Sequence, residues 1–423
     1  LLSVNPLKKS NLLVSHNRTQ ATSSQARSPH AIAAVRIERC VVCGGGLEAA
    51  IDLPGLPLTE TYCREPVENP LPGIDQRLMF CAACGHGQLG TQISPKVLYG
   101  ANYCFRTSAS ATARKGTQFF LSVLDEIAPG RRFRCVLDLG CNDLFLLSQL
   151  KERAAVRIGI DPVWRGREAE REDLSIHVYG SSIEEVPLSM LPEKPDLVVC
   201  RHTLEHIADP SAVLKLLLEA AAPDALFVFE VPGFDGLIGR YRFDQVFHQH
   251  LQYFSLASFR RLLKTVGADF VMHRENFHDW GAMAVAFTRS GAGNASGGNA
   301  LRPTLANISR RYELFRRQMA TTSALLAELG GTKIYGYGAA QMLPVLGYHM
   351  RTDFRELVAV LDDDPEKDGI GYWNLPVKVM PSSRAKDLSE AAVLITAVDN
   401  VQPIMTKLLA RRPRHIICPF HII

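Results

Sequence analysis

Two groups of residues in this chain have types and spacings suited to chemistry. The first is FDQVFHQHLQYFS, residues 243 to 255, which sets His248, Gln249 and His250 in a row among aromatic side chains. A neutral imidazole with an ordinary pKa of about 6.5 can take a proton from a weak acid near neutral pH. The second group is cysteine. CVVCG contributes Cys40 and Cys43, and CAACG contributes Cys81 and Cys84. Each Cys-x-x-Cys turn aims two thiolates at one ion, and the glycine after it relieves crowding. Four thiolates complete a tetrahedral zinc shell, closed and therefore structural. A redox pair would sit beside a βαβ unit, which this segment lacks.

A third set lies in VLDLGCND, residues 136 to 143, where Asp138 and Gly140 end a strand. A carboxylate and a close-approach glycine at a strand's carboxyl end mark a nucleotide-type crevice, although no G-x-G-x-x-G follows. Asp161 in IGIDP lies 21 positions after Gly140, where a ribose diol is held. PDLVVCRHTLEHIADP, residues 195 to 210, then runs from a strand into Arg201 and His202 and on to Glu205, His206 and Ile207.

These residues need elements to place them. Residues 39 to 99 are rich in turns and poor in helical period, a loop-rich module that needs a staple. Beyond about residue 103 helix and strand alternate. Residues 117 to 127 read as a helix, CVLDLG as a buried strand, LFLLSQLKERA as a helix, and RIGIDP, DLVVC and ALFVFEVP as further strands, with DPSAVLKLLLEAAA helical. Such alternation predicts a parallel sheet covered on both faces. SGAGNASGGN, residues 290 to 299, is a linker. A helix from about 305 to 329 leads into a second strand-helix series that includes KIYGYG, LVAVLDDD and AVLITAV.

The expected domains are a disordered or targeting-like tail over 1–37, a zinc-binding module over 38–100, an α/β core over 101–290, and a C-terminal α/β domain over 300–423. A net charge of +4 over 423 residues is too weak to argue for nucleic acid or a membrane surface. No apolar run reaches the roughly 18 residues of a spanning helix. Ten cysteines, four of them in pairs, suit a reducing cytoplasm.

Asp138, Gly140, Asp161 and the strand-four loop together resemble the class I S-adenosylmethionine-dependent methyltransferases. With the cysteine module before and a second α/β layer after, the order resembles one group of these, the three-domain C-methyltransferases of deoxysugar biosynthesis. The signatures are YCFRTSAS (103–110), GCND (140–143), TLEHI (203–207), FDQVFHQHLQYFS (243–255), YGYGAA (335–340), LDDDPEK (361–367) and CPFHII (418–423).

The resemblance implies a Rossmann-like core between a zinc module and a Rossmann-like C-terminal domain. It implies adenosylmethionine at Asp138, Gly140, Asn142, Asp161, Ser181, Arg201 and His202. His250 would be the base, with Gln249, His206 and Tyr103 beside it and Ser108 in a closing segment. The family has glutamate where this chain has Gln249, tyrosine where it has Phe247, glycine at Leu144 and lysine at Met342. A nucleotide-linked ketosugar would meet Tyr337, Gly338, Ala339, Asp362 and Lys367, with His421 as a further contributor. The expected reaction is C-methylation beside the ketone, by a monomer or homodimer. O- or N-methylation of a small metabolite and a non-catalytic adenosylmethionine-binding scaffold are the alternatives.

Overall fold

A segment with little apolar sequence of its own must borrow its core, and the N-terminal module does so. The structure, a computed structural model, describes residues 34–59, 61–65, 73–94, 98, 106–171, 173, 175–277, 281–291 and 302–420. The module contains β1 (Ala34–Arg36), β2 (Glu48–Leu56), β3 (Tyr62–Cys63), β4 (Ile74–Cys81), β5 (His86–Leu89) and β6 (Thr91–Ile93). β2 pairs antiparallel with β4, and β4 with β5, so strands fill the long gap between the two cysteine pairs. β1 pairs with β6, although it falls inside the stretch expected to be tail. Ile51, Leu53 and Phe80 of the module share one core with Phe234, Phe243 and Tyr253 of the centre and Phe315 and Phe354 of the C-terminal region.

The central region runs α1 (Ala111–Ile127), β7 (Phe133–Leu139), α2 (Phe145–Gln149), β8 (Ala154–Ile160), β9 (Ile176–Tyr179), β10 (Leu197–Arg201), α3 (Pro210–Ala220), β11 (Leu226–Pro232), α4 (Phe234–Gly239), β12 (Gln252–Tyr253), α5 (Leu256–Val266), β13 (Ala268–Asn276) and β14 (Ala282–Arg289). Its sheet has the order β13-β14-β11-β10-β7-β8-β9. The five strands from β11 to β9 are parallel, as the alternation predicts. β14 is antiparallel to both β11 and β13, so the sheet is mixed. Too few residues separate β13 from β14 for the crossover that parallel strands require. The helix expected over LFLLSQLKERA stops at Gln149, because the chain must turn and enter β8 at Ala154.

Local chemistry sets the helix ends. Ser110 caps α1, Asp209 caps α3 ahead of Pro210, and Ser255 caps α5, which Gly267 ends at φ +76°. β12 leaves this sheet altogether. It pairs with β5 in a sheet ordered β12-β5-β4-β2, which ties the HQHLQYF stretch to the cysteine module.

The C-terminal region contains α6 (Leu305–Glu328), β15 (Lys333–Tyr337), α7 (Leu343–Met350), β16 (Leu357–Asp362), β17 (Gly371–Tyr372), β18 (Leu375–Pro381), β19 (Ala391–Ile395), α8 (Val401–Arg411) and β20 (His415–Ile417). The sheet order is β20-β19-β15-β16-β18-β17-β3, with β20 to β18 parallel. Strand order reverses about β15, between β16 and β19, which opens a crevice at their carboxyl ends. The edge strand β3 comes from the N-terminal module and pairs with β17. Of the expected linker, residues 292–299 lie outside the described residues.

Candidate active site and cysteine centre

The two cysteine turns are built alike. Gly44 N–H donates to Cys40 O and Gly85 N–H to Cys81 O, each at 2.8 Å. Both glycines take left-handed backbone, φ +69° and +79°, at little cost to a residue without Cβ. All four sulfurs lie within 4.8 Å of one another, with Cys40–Cys84 at 3.6 Å and Cys43–Cys81 at 3.5 Å. Zinc–sulfur bonds of about 2.3 Å place tetrahedral sulfurs about 3.8 Å apart, so the set fits zinc closely. A hydrogen bond from Cys84 holds the Cys40 thiol down at about 5, while burial pushes Cys81 up to about 11. A divalent cation would let all four ionise. From this centre β5 leads to β12, whose register pairs Gln252 with Gln88 and Tyr253 with Gly87. The link is tight: a Cβ on Gly87 would stand 2.9 Å from the Phe234 ring.

The residues expected to hold the cofactor lie at the carboxyl edge of the central sheet. Gly140 follows β7 at φ +77°, and a Cβ there would meet Thr203 Oγ1 at 1.9 Å. Asp161, just past β8, accepts from Asn142 N–H and Val163 N–H, both at 2.9 Å. Burial pushes the Asp138 carboxyl up to about 7; nearby Arg201 opposes this and Asp161 adds to it. Burial also raises Asp161, against the two backbone N–H bonds. Two carboxylates held above their ordinary range suit a cationic ligand, and the cradle left by Gly140 suits close approach of a ligand to backbone. S-adenosylmethionine fits both features. Ser181 lies just past β9 on the same edge.

Arg201 is differently employed. Its guanidinium pairs with the buried Glu230, donates to Thr117 Oγ1 at 2.7 Å and lies over Phe120, so it braces the crevice. Asn276 donates to the other oxygen of Glu230 at 2.7 Å. Leu144 sits at φ 64° as the residue before α2, a conformation costly for a side chain other than glycine's. Its burial against Leu146 and Leu147 offsets that strain. Ser108 N–H donates to Asp143 Oδ2 at 2.8 Å, and Thr107 N–H to Asn142 Oδ1 at 3.2 Å, so the segment after Arg106 covers this turn. Tyr103 lies outside the described residues.

Residues 247 to 250 form a turn rather than an extended strand, with His250 N–H donating to Phe247 O at 3.1 Å. The turn makes the two imidazoles diverge. His248 turns into the module, its Nε2 3.0 Å from Leu56 O and its Nδ1 3.4 Å from Gln76 Nε2. His250 turns toward Glu205 and His206 of the loop after β10. Its ring packs on Phe247 at 4.1 Å between centroids and edge-on to His206 at 5.0 Å. His206 Nδ1 is 2.8 Å from Gln249 O, which fixes that ring and turns its Nε2 toward His250's neighbourhood.

Gln249 accepts from Thr59 Oγ1 at 2.9 Å, while its Nε2 is buried and, like His250 Nδ1, has no hydrogen-bond partner among the described residues. Burial, then the charges of His206 and His202, push the His250 imidazole well below its ordinary 6.5. At neutral pH it is in the proton-accepting form. The sequence did not single out Glu205, which lies at the centre of this cluster. It is wholly buried, and Glu205, His206 and His250 each bring a polar atom within 4.8 Å of the others. Its only sequence signal is adjacency to His206.

In the C-terminal crevice Tyr337, Gly338, Ala339, Asp362 and Lys367 converge. Ala339 N–H donates to Asp362 Oδ2 at 2.7 Å, and Lys367 Nζ lies 3.2 Å from both that oxygen and Ala339 O. Tyr337 donates to Asp363 Oδ1 at 2.7 Å. Gly338 stands at φ +96°, where a Cβ would meet that of Ala397 at 2.2 Å. Tyr62 of the module donates to Ala339 O at 2.6 Å. His421 lies outside the described residues.

Comparisons with known proteins agree with this architecture. Residues 111–273 match the family described as "Methyltransferase domain", and residues 40–99 the one described as "Putative zinc binding domain". The C-methyltransferase NovU of Streptomyces niveus is 25% identical over 290 residues, 62% of this chain and 66% of that protein. The ubiquinone biosynthesis O-methyltransferase of Hahella chejuensis is 34% identical over 116 residues, 26% of this chain and 47% of that protein. The chain thus spans less than two thirds of the length of either relative. The N-methyltransferase NodS of Bradyrhizobium japonicum, solved with S-adenosyl-L-homocysteine, covers 43% of this chain at 16% identity and a TM-score of 0.33, too low to add to the domain match.

The sheet order, the crevice and the matched domain together define a class I, S-adenosylmethionine-dependent methyltransferase fold with an N-terminal zinc module. Within that class, the pairing of the two domains and the long match to NovU make this chain similar to a C-methyltransferase. Among the described residues no helix is long and apolar enough to cross a membrane.

Proposed function

We propose that this protein methylates a carbon next to the ketone of a nucleotide-linked deoxysugar, with His250 as the proton acceptor. The observation that carries the proposal is the state of His250. Its imidazole is buried, held neutral by that burial, and set among polar atoms that lack partners among the described residues. Buried polar groups in folded proteins are normally satisfied, so a cluster of exceptions marks a place for a ligand. S-adenosylmethionine, when bound, supplies an electrophilic methyl group on a sulfonium. The chain's own residues do the rest.

Asp138, Gly140, Asn142, Asp161, Ser181 and His202 form the cofactor edge, and Arg201 fixes Glu230 behind it. His250 takes the α-proton, leaving the electron pair on carbon as an enolate. Phe247 and His206 hold the ring, and Gln249 Nε2 is a free donor for a sugar oxygen. Tyr337, Gly338, Ala339, Asp362 and Lys367 receive the nucleotide end. Lys367 and the backbone about Gly338 meet the diphosphate, and Asp362 meets a ribose or base. The cysteine module, core and C-terminal region correspond in this reading to separate duties: bracing, chemistry and substrate address.

The test is incubation in deuterium oxide with a panel of nucleotide-linked ketosugars and methyl-labelled cofactor. Label should reach a carbon, with exchange at that α-position. His250→Ala should abolish exchange while adenosylhomocysteine still binds in calorimetry. Because the wild-type imidazole is depressed below 6.5, exchange should be flat through neutral pH and fall only as pH drops through that lower value. The local similarity to O-methyltransferases favours a second reading, oxygen methylation, in which label reaches oxygen and no α-exchange appears.

A further inference from the structure

Glu205 is 0% exposed, and neither carboxylate oxygen has a hydrogen-bond partner among the described residues. A buried carboxylate left so is costly unless positive charge comes to it. Three imidazoles surround Oε1: His202 Nδ1 at 3.6 Å, His206 Nε2 at 4.0 Å and His250 Nε2 at 4.0 Å. These distances are too long for hydrogen bonds and short enough for strong attraction once a ring is protonated. The residue before His250 is Gln249, a neutral amide whose oxygen accepts from Thr59.

We propose that Glu205 supplies the carboxylate that faces Nε2 of this ring, as the positioning residue of His250. The proposal rests on the reading of His250 as proton acceptor. When the α-carbon–hydrogen bond breaks, its electron pair stays on carbon and the proton bonds to His250 Nδ1, the nitrogen without a partner among the described residues, while Nε2 faces Glu205. The imidazolium then faces Glu205, and the new positive charge is balanced inside the protein. The groups facing this ring are Glu205, His202, His206 and Tyr253, whose ring centroid lies 6.4 Å away. Beyond His202 stands Glu230, 3.8 Å from that ring's Nε2 but already paired with Arg201. Of the two carboxylates, only Glu205 lacks a guanidinium partner.

The measurement needs no substrate. Full-length, zinc-loaded protein labelled with ¹³Cε1-histidine is titrated by NMR, with His250 and His206 assigned through His250→Gln and His206→Gln. Glu205→Gln should lower the proton affinity of His250 about tenfold or more, a shift of about one pH unit. Glu205→Asp keeps the charge but withdraws it by one methylene, so its midpoint should fall in between. It also serves where the glutamine variant does not fold. A purely structural role would leave the midpoint of folded protein where it was, and that result would overturn the proposal. So would saturable Mn²⁺ or Zn²⁺ binding, beyond the cysteine-bound ion, that perturbs His206 and His250 in the wild type and vanishes in Glu205→Gln. The cluster would then be a metal site. Exchange that survives His250→Ala would retire the reading of His250; an unmoved midpoint with exchange still dependent on His250 would retire Glu205 alone.

Discussion

The cysteine centre and the imidazole cluster are both buried sets of titratable groups, yet they are finished to different degrees. Around the cysteines every ligand atom converges on one point, and each turn is closed by a glycine N–H. Around His250 the groups are held at 3.6 to 4.0 Å from Glu205, and buried polar atoms remain without partners. A closed shell has spent its binding capacity on folding. An open one keeps capacity for a molecule that comes and goes. The two are also connected, because β5, which starts just after Cys84, pairs with β12, which starts just after His250.

The sharpest break in that comparison is Cys84→Ser. It should reduce bound zinc from one per chain to near zero and lower the thermal unfolding midpoint by about 10 °C or more, read by metal analysis and calorimetry. Through β5 and β12 it should also disorder the His250 turn, so loss of zinc with exchange intact would count against the link. His250→Ala should act on the open site alone, lowering methyl transfer by about 10²–10⁴-fold with the unfolding midpoint little changed.

Gly140→Ala tests the cofactor edge: the added methyl meets Thr203 at 1.9 Å on left-handed backbone, and adenosylhomocysteine affinity should fall about tenfold or more in calorimetry. His248→Ala is the mildest change. It removes a clasp to Leu56 O and should cost about 1–3 kcal/mol in denaturant unfolding while α-exchange persists.

His248 also sharpens the comparison through pH. Burial holds its imidazole below 6.5 in the folded protein, and the unfolded chain restores the ordinary value. The stability tied to its neutral form is present above about pH 6.5 and is lost as pH falls through the lower folded value. His248→Gln should flatten that part of the acid limb.

Much of the frame was legible in the sequence, because strands and turns are announced locally. The Cys-x-x-Cys-Gly turns, the Asp138–Gly140 edge and the run from KIYGYG to HIICP all carry their signals within a few residues. The mixed edge of the central sheet was not legible, since β13 and β14 have the composition of buried strands whichever way they run. α2 was overread because LFLLSQLKERA keeps a helical apolar pattern past the point where the chain must enter β8. The site shows the same division. His250 stands out beside aromatic residues, whereas Glu205 acquires meaning only when His202, His206 and a residue 45 positions later meet around it. Arg201 was legible as a crevice residue, but its partner Glu230 lies on another strand and left no local trace.

The two-residue strand β3 has one more implication. Made early in the chain, it ends up at the border of a sheet whose other members are made last, clasped to β17 and reaching Ala339 through Tyr62. During synthesis the module can close on zinc long before that border has a neighbour to receive it. The protein is therefore complete only when its final hundred residues return to a segment near its start, and cutting it into independent halves would leave both with a raw seam.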